Sequence, residues 1–181
     1  MIIPKIINLK SEYFTQNQTY KEVLDKNDLT KQARRNYFLA LPYNNKMILV
    51  PLRTNCPRGN RFTGKISYPL PSQKRQNAGL DYRKCIILSD EKYISEIKDV
   101  NFAIPKAQSD KIIKNFQQIT KEVVVYIEGY IRIIQRNQKI EANPKYRFST
   151  LINFHQELKI AVNSFPQKVN VNSFDNEKPR I

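Results

Sequence analysis

The chain has 181 residues, 40% of them apolar, and carries 31 Lys and Arg against 16 Asp and Glu, a net charge of +15. Length and apolar content fit one domain with a hydrophobic core rather than a disordered chain, and the charge predicts a polyanionic partner, nucleic acid or an acidic membrane surface. No stretch approaches the ~20 apolar residues of a membrane span, and the start, MIIPKIINLK, lacks the long apolar region and cleavage site of a signal peptide.

Residues 2–9 read as a first strand, and Ser11 of the following SEYF is placed to cap a helical turn. Residues 15–35 are polar and patchy, with a short helix expected over 20–24. The apolar runs 37–43 (YFLALPY) and 46–52 (KMILVPL) flank Asn44 and Asn45. Asn tolerates the positive φ of a two-residue turn, so this is a predicted hairpin, with Pro42 and Pro51 marking an edge or bulge. Residues 53–79 form a long loop punctuated by Pro57, Gly59, Gly64, Pro69, Pro71 and Gly79, with a short strand at 65–68. Loops of this length in a compact domain generally bind something. A buried strand follows at 84–88 (KCIIL), then a short element at 93–97.

Ser109 and Asp110 mark an expected helix start. Beyond them Ile112, Ile113, Phe116, Ile119, Val123, Tyr126, Ile127, Tyr130 and Ile134 recur at three- and four-residue steps, giving an amphipathic helix, or two broken near Thr120. A last helix is expected over 148–160, on Leu151, Ile152, Phe154 and Leu158. Strands first and helices after predict an α+β domain, a twisted antiparallel sheet with helices packed on it and a mostly helical C-terminal half. The expected domain is 1–164, with a polar, loose tail over 165–181.

The positive charge is concentrated. From Lys31 to Lys84 there are twelve Lys or Arg and one acid, Asp81, as a phosphate-binding patch requires. Arg53, Thr54 and Asn55, at the mouth of a strand, combine a planar guanidinium fork with neutral donors and acceptors, the groups that offset charge on a phosphoryl centre. RNA cleavage by the neighbouring 2′-hydroxyl needs little more than such alignment and stabilisation, and no metal or other cofactor. Arg58, Arg61 and Lys65 extend the charge along a backbone, as do Arg34, Arg35, Lys74 and Arg75. In GLDYRKC, Gly79 allows a sharp turn, Asp81 can orient a neighbouring Arg or Lys, and Tyr82 offers a ring and a phenol. Arg83 and Lys84 enter the following strand on opposite faces, so only one of them is expected to point to the site. Tyr82 and Lys84 are the candidates for proton handling or base contact. Tyr13, Tyr37, Tyr43 and Tyr68 add rings for stacking on unpaired bases.

On residue types alone, phosphate binding without catalysis weighs equally with cleavage, because Arg, Thr and Tyr serve both. His155, the one histidine, reads as a packing or capping residue beside Phe154, and Cys56 has no histidine near it in sequence to make it a nucleophile. Cys56 and Cys85 lack CxxC spacing, so no zinc site or disulfide framework is indicated, and reduced thiols in a cytoplasm are the simpler expectation. The basic residues sit in loops and strand ends rather than on a recognition helix, which argues against a duplex-DNA reader.

ILVPLRTN, the basic loop, GLDYRKCIIL and STLINFHQEL, in that order, resemble the TenpN family of toxins from type III toxin–antitoxin systems, and KIINLKSEYF more faintly resembles the wider ToxN and AbiQ group. The resemblance implies a Kid- and MazF-like fold, a highly curved antiparallel sheet in a small barrel elaborated with helices. It also implies a metal-independent endoribonuclease that leaves a cyclic phosphate, acts on cellular or phage mRNA, and is inhibited by a repeat-derived pseudoknot RNA in an RNA–protein hetero-oligomer. Thr54 occupies a hydroxyl position of the related ToxN loop. Asn55 stands where a serine is expected, no lysine follows within two residues, and Arg58 and Arg61 replace the family's early histidine, so the general base and acid are unassigned.

Overall fold

Among the described residues of the computed structural model, 4–39 and 43–160, seven antiparallel strands form one sheet and five α-helices surround it. Parts of the expected first strand (2–3) and hairpin (40–42), and the whole tail, lie outside them. The strands are β1 (Lys5–Leu9), β2 (Tyr37–Leu39), β3 (Met47–Arg53), β4 (Ser67–Pro69), β5 (Gly79–Asp81), β6 (Ile86–Leu88) and β7 (Ile94–Asp99). They lie in the order β4-β5-β3-β2-β1-β7, with β6 also on β3.

The hairpin between β2 and β3 turns on Asn44 and Asn45 at φ 49° and 62°, and Tyr43 and Lys46 exchange backbone hydrogen bonds across it. β3 is the axis of the sheet. One side pairs with β2, Phe38 opposite Val50. The other side is divided: Met47, Ile48 and Leu49 pair with β6, whereas Leu52 and Arg53 pair with β5. Pro51, which has no N–H to donate, falls where the partner changes.

The sheet is not closed into the barrel that the resemblance implied, since β7 pairs with β1 alone among the described strands. The reason lies in β7 itself. Its Ser95 and Glu96 are exposed, and Glu96 and Lys98 pair with each other at 2.7 Å, so the strand carries the charges that blunt an open sheet edge.

Helices α1 (Ser11–Gln16), α2 (Leu29–Ala33), α3 (Val100–Ala103), α4 (Lys106–Lys114) and α5 (Phe116–Gln135) depart from the expected boundaries in instructive ways. Ser11 opens α1 but does not cap it; Lys10 holds the cap position without a side-chain bond. No helix forms at 20–24, because Glu22 and Asp25 both have positive φ. The helix comes later, as α2, where the Asp28 carboxylate accepts the Lys31 N–H at 2.9 Å. α4 begins after Pro105, three residues before Ser109, whose buried hydroxyl donates to the Lys106 carbonyl at 2.9 Å. The break before α5 falls at Asn115, whose side chain donates to the Lys111 carbonyl at 2.8 Å, and not at Thr120.

α5 does carry the expected stripe: Ile119, Val123, Tyr126, Ile127 and Tyr130 are buried against the sheet core of Ile6, Phe38, Ile48 and Leu80. The expected helix at 148–160 is instead a single 3-10 turn, Thr150–Asn153, followed by turns. Thr150 donates its hydroxyl to the Arg83 and Cys85 carbonyls, tying the segment to the end of the sheet in place of helical bonding.

Candidate nucleic-acid interface

A cleft of about 840 Å³ opens where β3 ends. Its lining is rich in cations: Lys31 from α2 with Arg34 and Arg35 just after it, Arg53 at the end of β3, and Lys74 and Arg75 from the β4–β5 turn, with the Thr54 hydroxyl next to Arg53 in the chain. Leu70, Ala103, Ile104 and Pro105 add an apolar part to the lining. The turn is braced by reciprocal backbone bonds between Ser72 and Arg75 (3.1 and 3.0 Å), which leave Lys74 and Arg75 exposed.

Arg53 heads the cleft and is held from behind. Its guanidinium donates to Asp81 Oδ2 at 2.7 Å. Asp81 is wholly buried, and its other oxygen accepts the Arg83 backbone N–H at 3.1 Å and Arg83 Nε at 3.2 Å. The register that places Arg53 opposite Gly79 brings these groups together. One carboxylate thus fixes two guanidinium groups, and Arg53 keeps 27% of its side chain exposed to take a further anion. Gly79 serves close packing rather than a sharp turn: a Cβ there would lie 2.6 Å from the Tyr68 carbonyl oxygen.

The loop after Arg53 runs beside the β4–β5 turn. Cys56 N–H donates to the Asn77 carbonyl at 2.7 Å, and Arg58 reaches the Gln76 and Ala78 carbonyls at 3.4 and 3.3 Å. Burial, with the Asp81 carboxylate adding to it, pushes the Cys56 thiol up to about 11, so it stays protonated near neutral pH. Asn55 and Arg61 are exposed on this loop but do not line the cleft.

Several expected site residues lie elsewhere. Tyr82, Arg83 and Lys84 form a 3-10 turn, Tyr82–Lys84, and the strand begins only at Ile86, so the expected alternation of Arg83 and Lys84 does not apply. The Tyr82 hydroxyl is buried and donates to Glu122 at 2.7 Å; burial and that carboxylate drive its pKa far above the usual phenol value. Lys84 Nζ donates to the Glu22 and Phe148 carbonyls and the Glu22 carboxylate at 2.7 to 2.9 Å, and burial lowers its pKa. Both are fastenings between distant segments. Lys65 pairs with Glu122 and lines a separate groove on α5 with Lys121 and Lys145.

Tyr13, Tyr37 and Tyr68 are 6% exposed or less, Tyr13 packing edge-on against Phe14 and Tyr93, so their rings are not presented for stacking. Arg35 lines the cleft but is engaged with Asp25 and, at 3.1 Å, the Leu52 carbonyl. His155 sits 2.8 Å from the Tyr130 hydroxyl, outside the cleft.

The residue missed from sequence is Lys31. Its signal was present: Asp28 as a cap followed by KQARR puts Lys31 and Arg34 three apart, on one face of a short helix. Among the described residues no group of three or more His, Cys, Asp or Glu is placed to hold a metal ion, and no helix is long and apolar enough to cross a membrane.

No protein-family model and no curated protein sequence matches the chain. Its fold does match a solved structure. The match, at TM-score 0.55 and 17% identity, spans 87% of this chain and 99% of the other, a protein from a bacterial type III toxin–antitoxin system described by selective toxin inhibition by a non-coding RNA pseudoknot. The two chains share this mixed α/β fold.

Proposed function

We propose that the protein is the toxin of a type III toxin–antitoxin system, an endoribonuclease that cleaves single-stranded RNA in the cytoplasm and is silenced by a repeat-derived pseudoknot RNA seated in the same cleft. The observation that carries this reading is Arg53, clamped on a buried carboxylate at the head of a cleft walled by Lys31, Arg34, Lys74 and Arg75. The shared fold supports it.

In the proposed reaction a ribose 2′-hydroxyl attacks the adjacent phosphorus and the 5′-oxygen leaves, giving a cyclic phosphate. The Arg53 fork accepts the charge growing on the non-bridging oxygens, and it does so without reorganising because Asp81 already holds it. The Thr54 hydroxyl, exposed beside it, donates to or accepts from the reacting oxygens. Flanking cations hold neighbouring phosphates and release counterions, which gives affinity to any long anion, substrate or inhibitor alike.

Incubation of the purified protein with a labelled single-stranded RNA in EDTA tests this: cleavage with cyclic-phosphate ends is expected, and growth arrest that disappears in Arg53→Ala and Thr54→Ala. Both variants remaining toxic would place the site elsewhere. A second reading, RNA binding without cleavage, is favoured by one observation: Tyr82 and Lys84, the expected proton carriers, are both buried away from the cleft. Retarded but intact RNA in the same assay would select it.

A further inference from the structure

The loop between the cleft and α5 ends in a feature that the cleft does not use. Phe62 is 67% exposed, and the Arg61 guanidinium lies over its ring at 4.6 Å from the centroid. The tip that displays them is firmly built. Asn60 Oδ1 accepts the N–H groups of Phe62 and Thr63 at 2.9 and 3.0 Å, and the Gly64 N–H returns to the Asn60 carbonyl at 2.8 Å. Gly59 packs so closely on Gly64 that a Cβ would overlap its carbonyl oxygen. An exposed phenylalanine on a mobile tip would mean little; here the backbone is fixed and the ring still meets solvent.

We propose that Arg61 and Phe62 form a stacking platform for an unpaired RNA base, outside the cleft and on the path of the same strand. The proposal rests on the RNA reading above. Three observations select a base as the occupant. The loop lies in a stretch free of acids from Leu29 to Leu80, so all the charge on its own segment is positive, as a polyanion requires. Its two ends lead to further basic residues, Arg58 against the turn that bounds the cleft, and Lys65, which pairs with Glu122 in the groove that Lys121 and Lys145 also line. Finally, the tip offers one aromatic ring among Asn60, Arg61 and Thr63, which is too little apolar area for a protein partner but is what a single base needs. With the guanidinium on one face of the ring, a base on the other completes a cation–aromatic–base stack.

The chain contains no tryptophan, so Phe62→Trp installs a single reporter at the tip. Polyadenosine is expected to quench its emission on binding. Phe62→Leu, which keeps an apolar side chain but removes the ring, is expected to weaken binding of labelled polyadenosine about tenfold. Because Phe62 lies outside the core, both variants should melt as the wild type does. A wild-type affinity in Phe62→Leu together with unquenched emission in Phe62→Trp overturns the platform and leaves the cleft reading intact. A wild-type protein that binds neither polyadenosine nor polyuridine overturns both.

Discussion

Arg53 and Asp81 lie 28 residues apart in the chain, yet the guanidinium of one rests 2.7 Å from the fully buried carboxylate of the other, which Arg83 also grips. The pair is both a joint in the sheet and the rear support of the cleft. Asp81→Ala leaves two partly buried guanidinium groups without a counter-charge, and a loss of about 3–5 kcal/mol in denaturant unfolding is expected. Arg53→Lys is the complementary test. It keeps the charge but not the fork, so RNA cleavage should fall much further than RNA binding.

On the proposed reading the cleft cations act through phosphate. Lys31→Ala, Lys74→Ala and Arg75→Ala should each weaken RNA binding regardless of sequence, and each lost contact should reduce the slope of log affinity against log salt by about 0.7. Titrations of one oligonucleotide at several salt concentrations measure that slope. Lys92→Ala, on an exposed residue paired with Asp90 and outside the cleft, should leave it unchanged.

Lys84 should matter for stability rather than chemistry. Lys84→Met removes the donor from two backbone carbonyls and a carboxylate. The expected cost is about 2–3 kcal/mol in urea unfolding, from acceptors left without a partner. At a temperature where the variant remains folded, its cleavage rate should match the wild type.

Burial holds the His155 pKa below its ordinary 6.5. The unfolded chain therefore takes up the proton first as the pH falls, which favours unfolding. Stability present above pH 6.5 should decline as the pH drops below it and level off once the folded ring also titrates. The Tm between pH 7 and pH 5 reads this out, and His155→Gln should flatten that part of the profile.

Local chemistry was legible where a short stretch decides it. The paired Asn44 and Asn45 specify their turn because both need positive φ, and the α5 stripe is set by periodicity alone. Segments whose backbone bonds are settled by distant partners were not. Leu151, Phe154 and Leu158 bury as a helix would bury them, but the Thr150 hydroxyl is drawn to carbonyls more than 60 residues away and the chain turns instead.

The site divides in the same way. Arg53 at a strand mouth and Asp81 as an orienting acid could be read directly, whereas their pairing depends on the β3–β5 register. Arg83 and Lys84 do not take the opposite faces expected at the entry to a strand, because Asp81 caps a 3-10 turn there. A pattern of period two has no meaning on such a turn.

The divided side of β3 has a dynamic consequence. Met47, Ile48 and Leu49 are closed by β6, while the segment bearing the Lys74 and Arg75 turn pairs with β3 at Leu52 and Arg53 and is anchored by its own buried side chains, Tyr68, Leu70 and Leu80. The exposed turn at 72–77 has none of that burial, so amide deuteration should enter it well before the strands on either side and before β1, β2 and β6. On the proposed reading, a turn that moves on strands that stay packed lets Lys74 and Arg75 adjust to a folded RNA while Arg53, held by Asp81, keeps its place.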